Sequence, residues 1–235
     1  MWTLRKMRDL ISEVRRLPRL TVRMSGGDEA SRAFHQFTKR HPRYLFIPNK
    51  SWGVGLLKLP DAFAEYLRGR QMQAVRTNRT RALTAGFSFR KIEALEHFEA
   101  VCEVNESMSR RQGREIAASY LDREKVRAHC TYGDVYAVLN REGRLRAYAH
   151  VVMAGDVAVV SRLLGHGEDL DKGIMYLCLT EIVRSLTEVR ETLGAPAWLM
   201  YDTFFGAEPG LRYFKERLGF KPYRVNWIWD PRVTG

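Results

Sequence analysis

The stretch "GHGEDLDKGIMYLCLTEIVRSL", residues 165–186, decides how the rest of the chain is read. Its first nine residues are a polar, glycine-containing loop. The rest opens a long apolar helix that runs to Leu193 and is capped by Gly194. Just upstream, "DVYAVLN" and "LRAYAHVVMAG" flank "REG" as a hairpin, and "DVAVVSRLL" makes a third strand entered through Gly155-Asp156. Downstream, "PAWLMYD" reads as a buried strand, "PGLRYFKER" as a helix stopped by Gly219, and "KPYRVNWIWD" as a last strand. "FSFRKI" and two helices precede the hairpin. The order from about residue 87 is therefore β-α-α-β-β-β-α-β-α-β, which predicts an α+β fold with three α/β/α layers and one mixed central sheet.

The first third is organised differently. A helix over 4–17 ends at Pro18, a strand "LTVRM" follows, and Asp28 opens a second helix. "RYLFIP" and "WGVGLLKLP" read as two strands joined by "NKS". Pro60 sits where a helix would begin, and the basic segment "QMQAVRTNRTRALTAG" reads as a helix ending at Gly86. This divides the chain into a basic N-terminal region, 1–69, which could form a partial first subdomain, and a domain over 70–235.

Composition narrows the chemistry. Hydrophobic residues make up 45% of the 235, enough for a sizeable core. No apolar run approaches the ~20 residues of a membrane span, and the basic N-terminus lacks the pattern of a secretory signal. The expectation is a cytoplasmic protein with reduced thiols at Cys102, Cys130 and Cys178 and no metal, since neither cysteines nor histidines cluster. Net charge is +12. Residues 1–90 hold 19 Lys/Arg against 6 Asp/Glu, and residues 91–235 hold 20 against 21. Charge so concentrated points to an anionic partner: RNA, DNA, a phosphorylated cofactor or an anionic membrane surface.

The element order, the loop at 165–173 and the closing "FKERLGFKPYRV" together resemble the GNAT superfamily of acyltransferases. There, a loop and helix N-terminus like Lys172-Gly173 would hold the pyrophosphate of an acyl-CoA cofactor. Only Gly173 keeps the usual glycine pattern, and Glu168, Asp169 and Asp171 would repel a phosphate. Gly210-Leu211-Arg212-Tyr213-Phe214-Lys215 is similar to a motif of the FemAB-like branch, which takes an amino acid from aminoacyl-tRNA. The basic helix leading into "FSFR" is also similar to that branch. The likeness covers about 70–225.

The resemblance implies transfer of an aminoacyl or acyl group to a primary amine by direct attack. The donor would be aminoacyl-tRNA or, second, acyl-CoA, with no tightly bound cofactor. It makes Lys215 the stabiliser of the oxyanion, or the holder of a nearby phosphate, and Tyr213 a substrate contact. The helical map alone puts Lys215 at the edge of an apolar face, where a snorkelling lysine fits equally well. Tyr201 and Asp202 end a central strand and could open into a cleft. Asp202 would orient or deprotonate the amine, or cap a helix. Arg76, Arg79 and Arg81 would contact phosphates or form a solvated face. Arg110, Arg111 and Gln112, in a charged loop between helices, are substrate contacts or simply exposed. His150 reads as a core histidine. The alternatives are a GNAT-like enzyme that modifies a nucleic-acid base and a non-catalytic RNA- or DNA-binding domain.

Overall fold

In a computed structural model the described residues are 12–42, 48–111, 114–205 and 207–231. Helix α1 (residues 12–16) leads into β1 (Arg19–Met24), α2 (Asp28–Thr38) and β2 (Trp52–Lys58). Then follow α3 (Phe63–Tyr66), α4 (Gln73–Thr84), β3 (Ser88–Ile92) and α5 (Phe98–Glu106). A two-stranded ribbon, β4 (Arg110–Arg111) and β5 (Arg114–Glu115), precedes α6 (Ala118–Leu121) and α7 (Arg123–His129). The meander is β6 (Asp134–Leu139), β7 (Leu145–Ala154) and β8 (Val157–Gly165). A 3-10 turn, Gly167–Lys172, starts α8 (Ile174–Leu193), and β9 (Trp198–Thr203), α9 (Pro209–Arg217) and β10 (Lys221–Trp229) close the chain.

Eight strands form one mixed sheet in the order β1-β10-β2-β9-β8-β7-β6-β3. Strand alternation sends residues to two faces. On one face Ala147, Ala149 and Val151 of β7 and Leu199 of β9 pack under α4 and α8. On the other, Val152, Val159 and Met200 pack with Phe37 of α2, and Tyr148 and Leu164 pack with Val101 and Val126 of α5 and α7. This is the three-layer arrangement expected from the element order.

Residues 1–69 contribute two strands to this same sheet. β1 pairs parallel with β10, and β2 inserts between β9 and β10, antiparallel to both. Three local expectations change. Pro60 does not open a helix, because the Arg190 guanidinium takes the carbonyls of Leu59 and Pro60 and the carboxylate of Asp61. α3 starts at Phe63 instead and lasts one turn. The second of the two helices expected before the hairpin, at about 117–130, breaks at Asp122, whose extended backbone and side chain cap α7, the side chain accepting from Lys125 N–H at 3.2 Å. The strand expected over "RYLFIP" lies almost wholly outside the described residues.

Candidate active site

β8 and β9 run parallel for three registered pairs, the last being Val159↔Met200. β8 then continues to Gly165 and β9 to Thr203 without pairing each other. The sheet is therefore split. A cavity of about 820 Å³ occupies the split, a size that suits a small-molecule substrate. It is lined by Val159 and Met200 from one sheet face and by Val160 and Tyr201 from the other, so it passes through the sheet. α2, the β4–β5 ribbon and α6 close one side, and Leu211 of α9 borders it too.

Lys215 stands behind this cleft. Its side chain is fully buried, so it does not snorkel. It is also not on the cavity surface. Its Nζ donates to the carbonyl oxygen of Thr203 at 2.8 Å and lies 4.9 Å from the centroid of the Tyr201 ring and 5.5 Å from that of Phe204. Burial pulls its pKa down to about 8, Asp202 opposes this, and Lys50 and Arg212 add to it. The ammonium is thus separated from the cavity by the Tyr201–Asp202 wall but couples to it electrostatically.

Asp202 adopts a left-handed φ of 49°, rare for a residue with a side chain, and lines the cavity half exposed. It is not a helix cap: its carboxylate is ion-paired with Lys50 from the turn before β2. The Tyr201 hydroxyl is raised above its ordinary range, chiefly by burial. The turn after β9 presses on β2. A Cβ at Gly53 would collide with the Phe205 ring, so only glycine admits that close approach.

Arg111 lines the cavity. Its pKa is lowered by burial, with the tyrosines at 201, 120 and 148 opposing. Arg110 is exposed on the ribbon, paired in register with Glu115, and Gln112 lies outside the described residues. Tyr213 is not at the cleft. It is 53% exposed, and the Arg217 guanidinium lies 4.7 Å from its ring centroid. Two residues from Lys215 means roughly 200° around the helix.

The arginines of α4 are used within the protein. Arg76 donates to the carbonyls of Leu67 and Gly69, Arg79 Nε donates to Glu181 Oε1 at 2.6 Å, and Arg81 donates to the carbonyl of Asp171 at 3.1 Å. Each ties α4 to a neighbouring segment; of the three, Arg79 meets a carboxylate, while Arg76 and Arg81 meet neutral oxygens and Arg81 stays exposed. Arg68, Arg70 and Arg90 remain exposed.

Lys172 and Gly173 are similarly committed. Lys172 pairs with buried Asp169 at 2.6 Å, and Asp169 also holds Arg146. Gly173 is left-handed, φ 83°, and a Cβ there would strike the Asn78 carbonyl of α4. The start of α8 is packed against α4 rather than open beside a cavity.

Several cavity residues had not been singled out from sequence: Lys50, Tyr120 and Arg162. Arg162, inside the apolar run "DVAVVSRLL", carried a readable signal. His150 is buried and pushed down to about 3 by burial, then by Arg162 and His129. Among the described residues its Nδ1 has no hydrogen-bond partner, so it is a core histidine but not a satisfied one. The three cysteines are buried free thiols. Among the described residues, no group of His, Cys, Asp and Glu is placed to hold a metal, and no helix is long and apolar enough to cross a membrane.

No family model and no curated protein matches the chain. Solved structures do. FemX is similar at a TM-score of 0.53 and 11% identity, over 73% of this chain and 59% of its own. L-PGS from Bacillus licheniformis is similar at 0.51 and 11% identity, over 73% and 58%. The C-terminal domain of a putative lysylphosphatidylglycerol synthetase from Agrobacterium fabrum is similar at 0.50 and 15% identity, over 73% and 58%. The chain therefore spans less than two thirds of the length of each of these structures. At such identities the likeness is one of fold.

Proposed function

From a GNAT-like acyltransferase fold whose sheet is split between β8 and β9, we propose that this chain transfers an aminoacyl or acyl group to a primary amine. The amine nitrogen attacks the carbonyl carbon of an activated ester. The carbonyl electrons move onto oxygen, and an oxyanion forms in a tetrahedral intermediate. Asp202 accepts the proton lost by the nitrogen. Collapse forms the amide and breaks the ester C–O bond (C–S for acyl-CoA), and the leaving alkoxide or thiolate takes the proton back from Asp202. Lys215 is the buried charge that favours the oxyanion, acting from behind Tyr201 in a medium where a charge is weakly screened.

The observation that carries this reading is the fully buried lysine set directly behind an open cleft that also holds a carboxylate. Aminoacyl-tRNA is the donor that fits better. The start of α8, where an acyl-CoA pyrophosphate would be expected, is packed against α4 and its loop acids are present, while exposed Arg68, Arg70 and Arg90 leave basic surface for a nucleic acid. Acyl-CoA is the second donor.

The test is to bind labelled charged tRNA at two salt concentrations, with duplex DNA and acetyl-CoA in parallel, and then to add a pool of amines. Salt-sensitive binding of tRNA, with amine-dependent loss of the amino acid, is the expected result. Binding of acetyl-CoA alone would replace the donor. Binding of tRNA or DNA with no group transfer to any amine would remove the enzyme.

A further inference from the structure

Arg162 is 7% exposed, lines the cavity, and forms no ion pair with any carboxylate among the described residues. The contrast with Arg146 is direct: that buried guanidinium is flanked by Asp169, Glu168 and Glu103. A guanidinium keeps its charge at any working pH, and burying it without a counter-charge is costly. None of the carboxylates on the cavity wall is ion-paired with it. Asp202 is held by Lys50, Glu29 accepts the Gly133 N–H at 3.0 Å, and Glu115 is exposed on the ribbon.

What surrounds Arg162 is aromatic and neutral. Its guanidinium carbon lies 4.7 Å from the Tyr120 ring centroid. Its charge also acts on the Tyr148 hydroxyl, opposing the rise that burial causes. His150 is its register partner across β7 and β8, so both side chains project from the same sheet face. A β-bulge between Val160 and Arg162 sets that direction. Asn105 braces the surround: it accepts from the Tyr148 hydroxyl at 2.6 Å and donates to the Tyr120 carbonyl at 2.9 Å. Arg111, a second guanidinium on the cavity wall, feels two of the same tyrosines, Tyr120 and Tyr148, together with Tyr201. Burial and Arg162 together keep His129 and His150 in their neutral forms.

We infer that Arg162 is an anion-binding site for a carboxylate or phosphate group on the amine acceptor, with Arg111 lining the same cavity. The placement supplies the reason. Lys215 and α8 lie on one face of the split sheet, and Arg162 lies on the other. An acceptor held by its anionic end at Arg162 would extend its amine through the split toward Asp202. The assignment to an acceptor rests on the acyl-transfer reading, whereas the anion site itself does not. A planar, bidentate guanidinium in an aromatic enclosure suits either anion, and the two are separable by experiment.

The test uses the full chain at fixed ionic strength. Thermal unfolding is followed with glutarate, with its uncharged diamide glutaramide, and with inorganic phosphate, for wild type, R162M, R162K and K215A. Glutarate or phosphate, but not glutaramide, should raise the wild-type melting temperature, and the stronger of the two names the group. R162M should melt at or above the unliganded wild type, because a buried unpaired charge is gone while Tyr148 keeps Asn105. It should lose the anion response entirely. R162K should bind about tenfold more weakly, since it keeps the charge and loses the fork. K215A should retain the anion response even where turnover is lost, which separates this site from the catalytic reading. An anion response that survives in R162M overturns the site, as does equal stabilisation by glutaramide or no wild-type response to either anion. So does an R162M that melts well below wild type or fails to fold, because that marks Arg162 as structural.

Discussion

The ammonium of Lys215 donates a 2.8 Å hydrogen bond to the carbonyl oxygen of Thr203, so a buried charge ties the last helix to the end of β9. That contact places the lysine where its charge bears on the cleft without occupying it. It also explains why a helix should carry a lysine among Tyr213, Phe214 and Leu218 just before its stop.

If the charge serves catalysis, K215A should lower kcat by about 10²–10³-fold with little change in KM. The pH profile gives the sharper reading. With a pKa of about 8, the ammonium is lost above that pH, so kcat should fall on the alkaline side. A kcat that stays flat to high alkaline pH in the verified assay would show that the charge of Lys215 takes no part.

The same shift appears in stability. Lys215 is depressed from 10.5 to about 8 in the folded state. Below pH 8 both states hold the proton, and the buried charge weakens the fold. Between about 8 and 10.5 the unfolded chain holds a proton that the folded one has released, so stability rises with pH across that window. The gain relative to K215M should be on the order of 3 kcal/mol. Urea unfolding of both proteins at pH 7, 9 and 10.5 checks this. Parallel curves for the two would refute it. The absolute difference at pH 7 is less diagnostic, because K215M also leaves the Thr203 carbonyl without its donor.

Much of this fold is legible locally. Each strand of the meander shows its own apolar run, and the α8 and α9 helices end at glycines that any sequence reading finds. What is not legible is set by distant pairing. Nothing in "WGVGLLK" says that β2 will enter between β9 and β10, strands about 150 residues further along. The basic run of α4 looks like a phosphate track until Glu181, 102 residues away, is seen to hold Arg79. The helical map places Lys215 at a face boundary but cannot show that Thr203 will receive it. Arg162 stands out as a charge in an apolar run, but the face it takes does not. Its direction depends on the β-bulge in β8, and a bulge shifts strand parity without a composition signal.

Asp202 separates backbone strain from chemistry. Its left-handed φ of 49° is tolerated by asparagine, so D202N should fold with stability within about 0.5 kcal/mol of wild type. The Lys50 ion pair is half exposed on the aspartate side and contributes little. Loss of the base should still cut kcat by at least about 10²-fold. D202G should be equally inactive yet up to about 1 kcal/mol more stable, because glycine carries no penalty at positive φ. Full activity in D202N, measured alongside its unfolding curve, would reassign Asp202 to positioning Lys50.

Arg79 tests whether the basic residues of α4 serve the fold or a nucleic acid. Its Nε–Glu181 contact of 2.6 Å is joined by Arg184 at 3.2 Å, and the side chains of Arg79 and Glu181 are 20% and 10% exposed. Removing Arg79 leaves the largely buried Glu181 with the longer Arg184 contact alone, so R79Q should cost about 1.5 kcal/mol in chemical denaturation. The salt dependence of tRNA binding should be unchanged by R79Q. It should flatten when exposed Arg68 and Arg70 are both replaced by glutamine, by roughly 1–2 in the slope of log K against log salt. An R79Q variant as stable as wild type but with a shallower salt slope would return α4 to the role of a phosphate-binding helix.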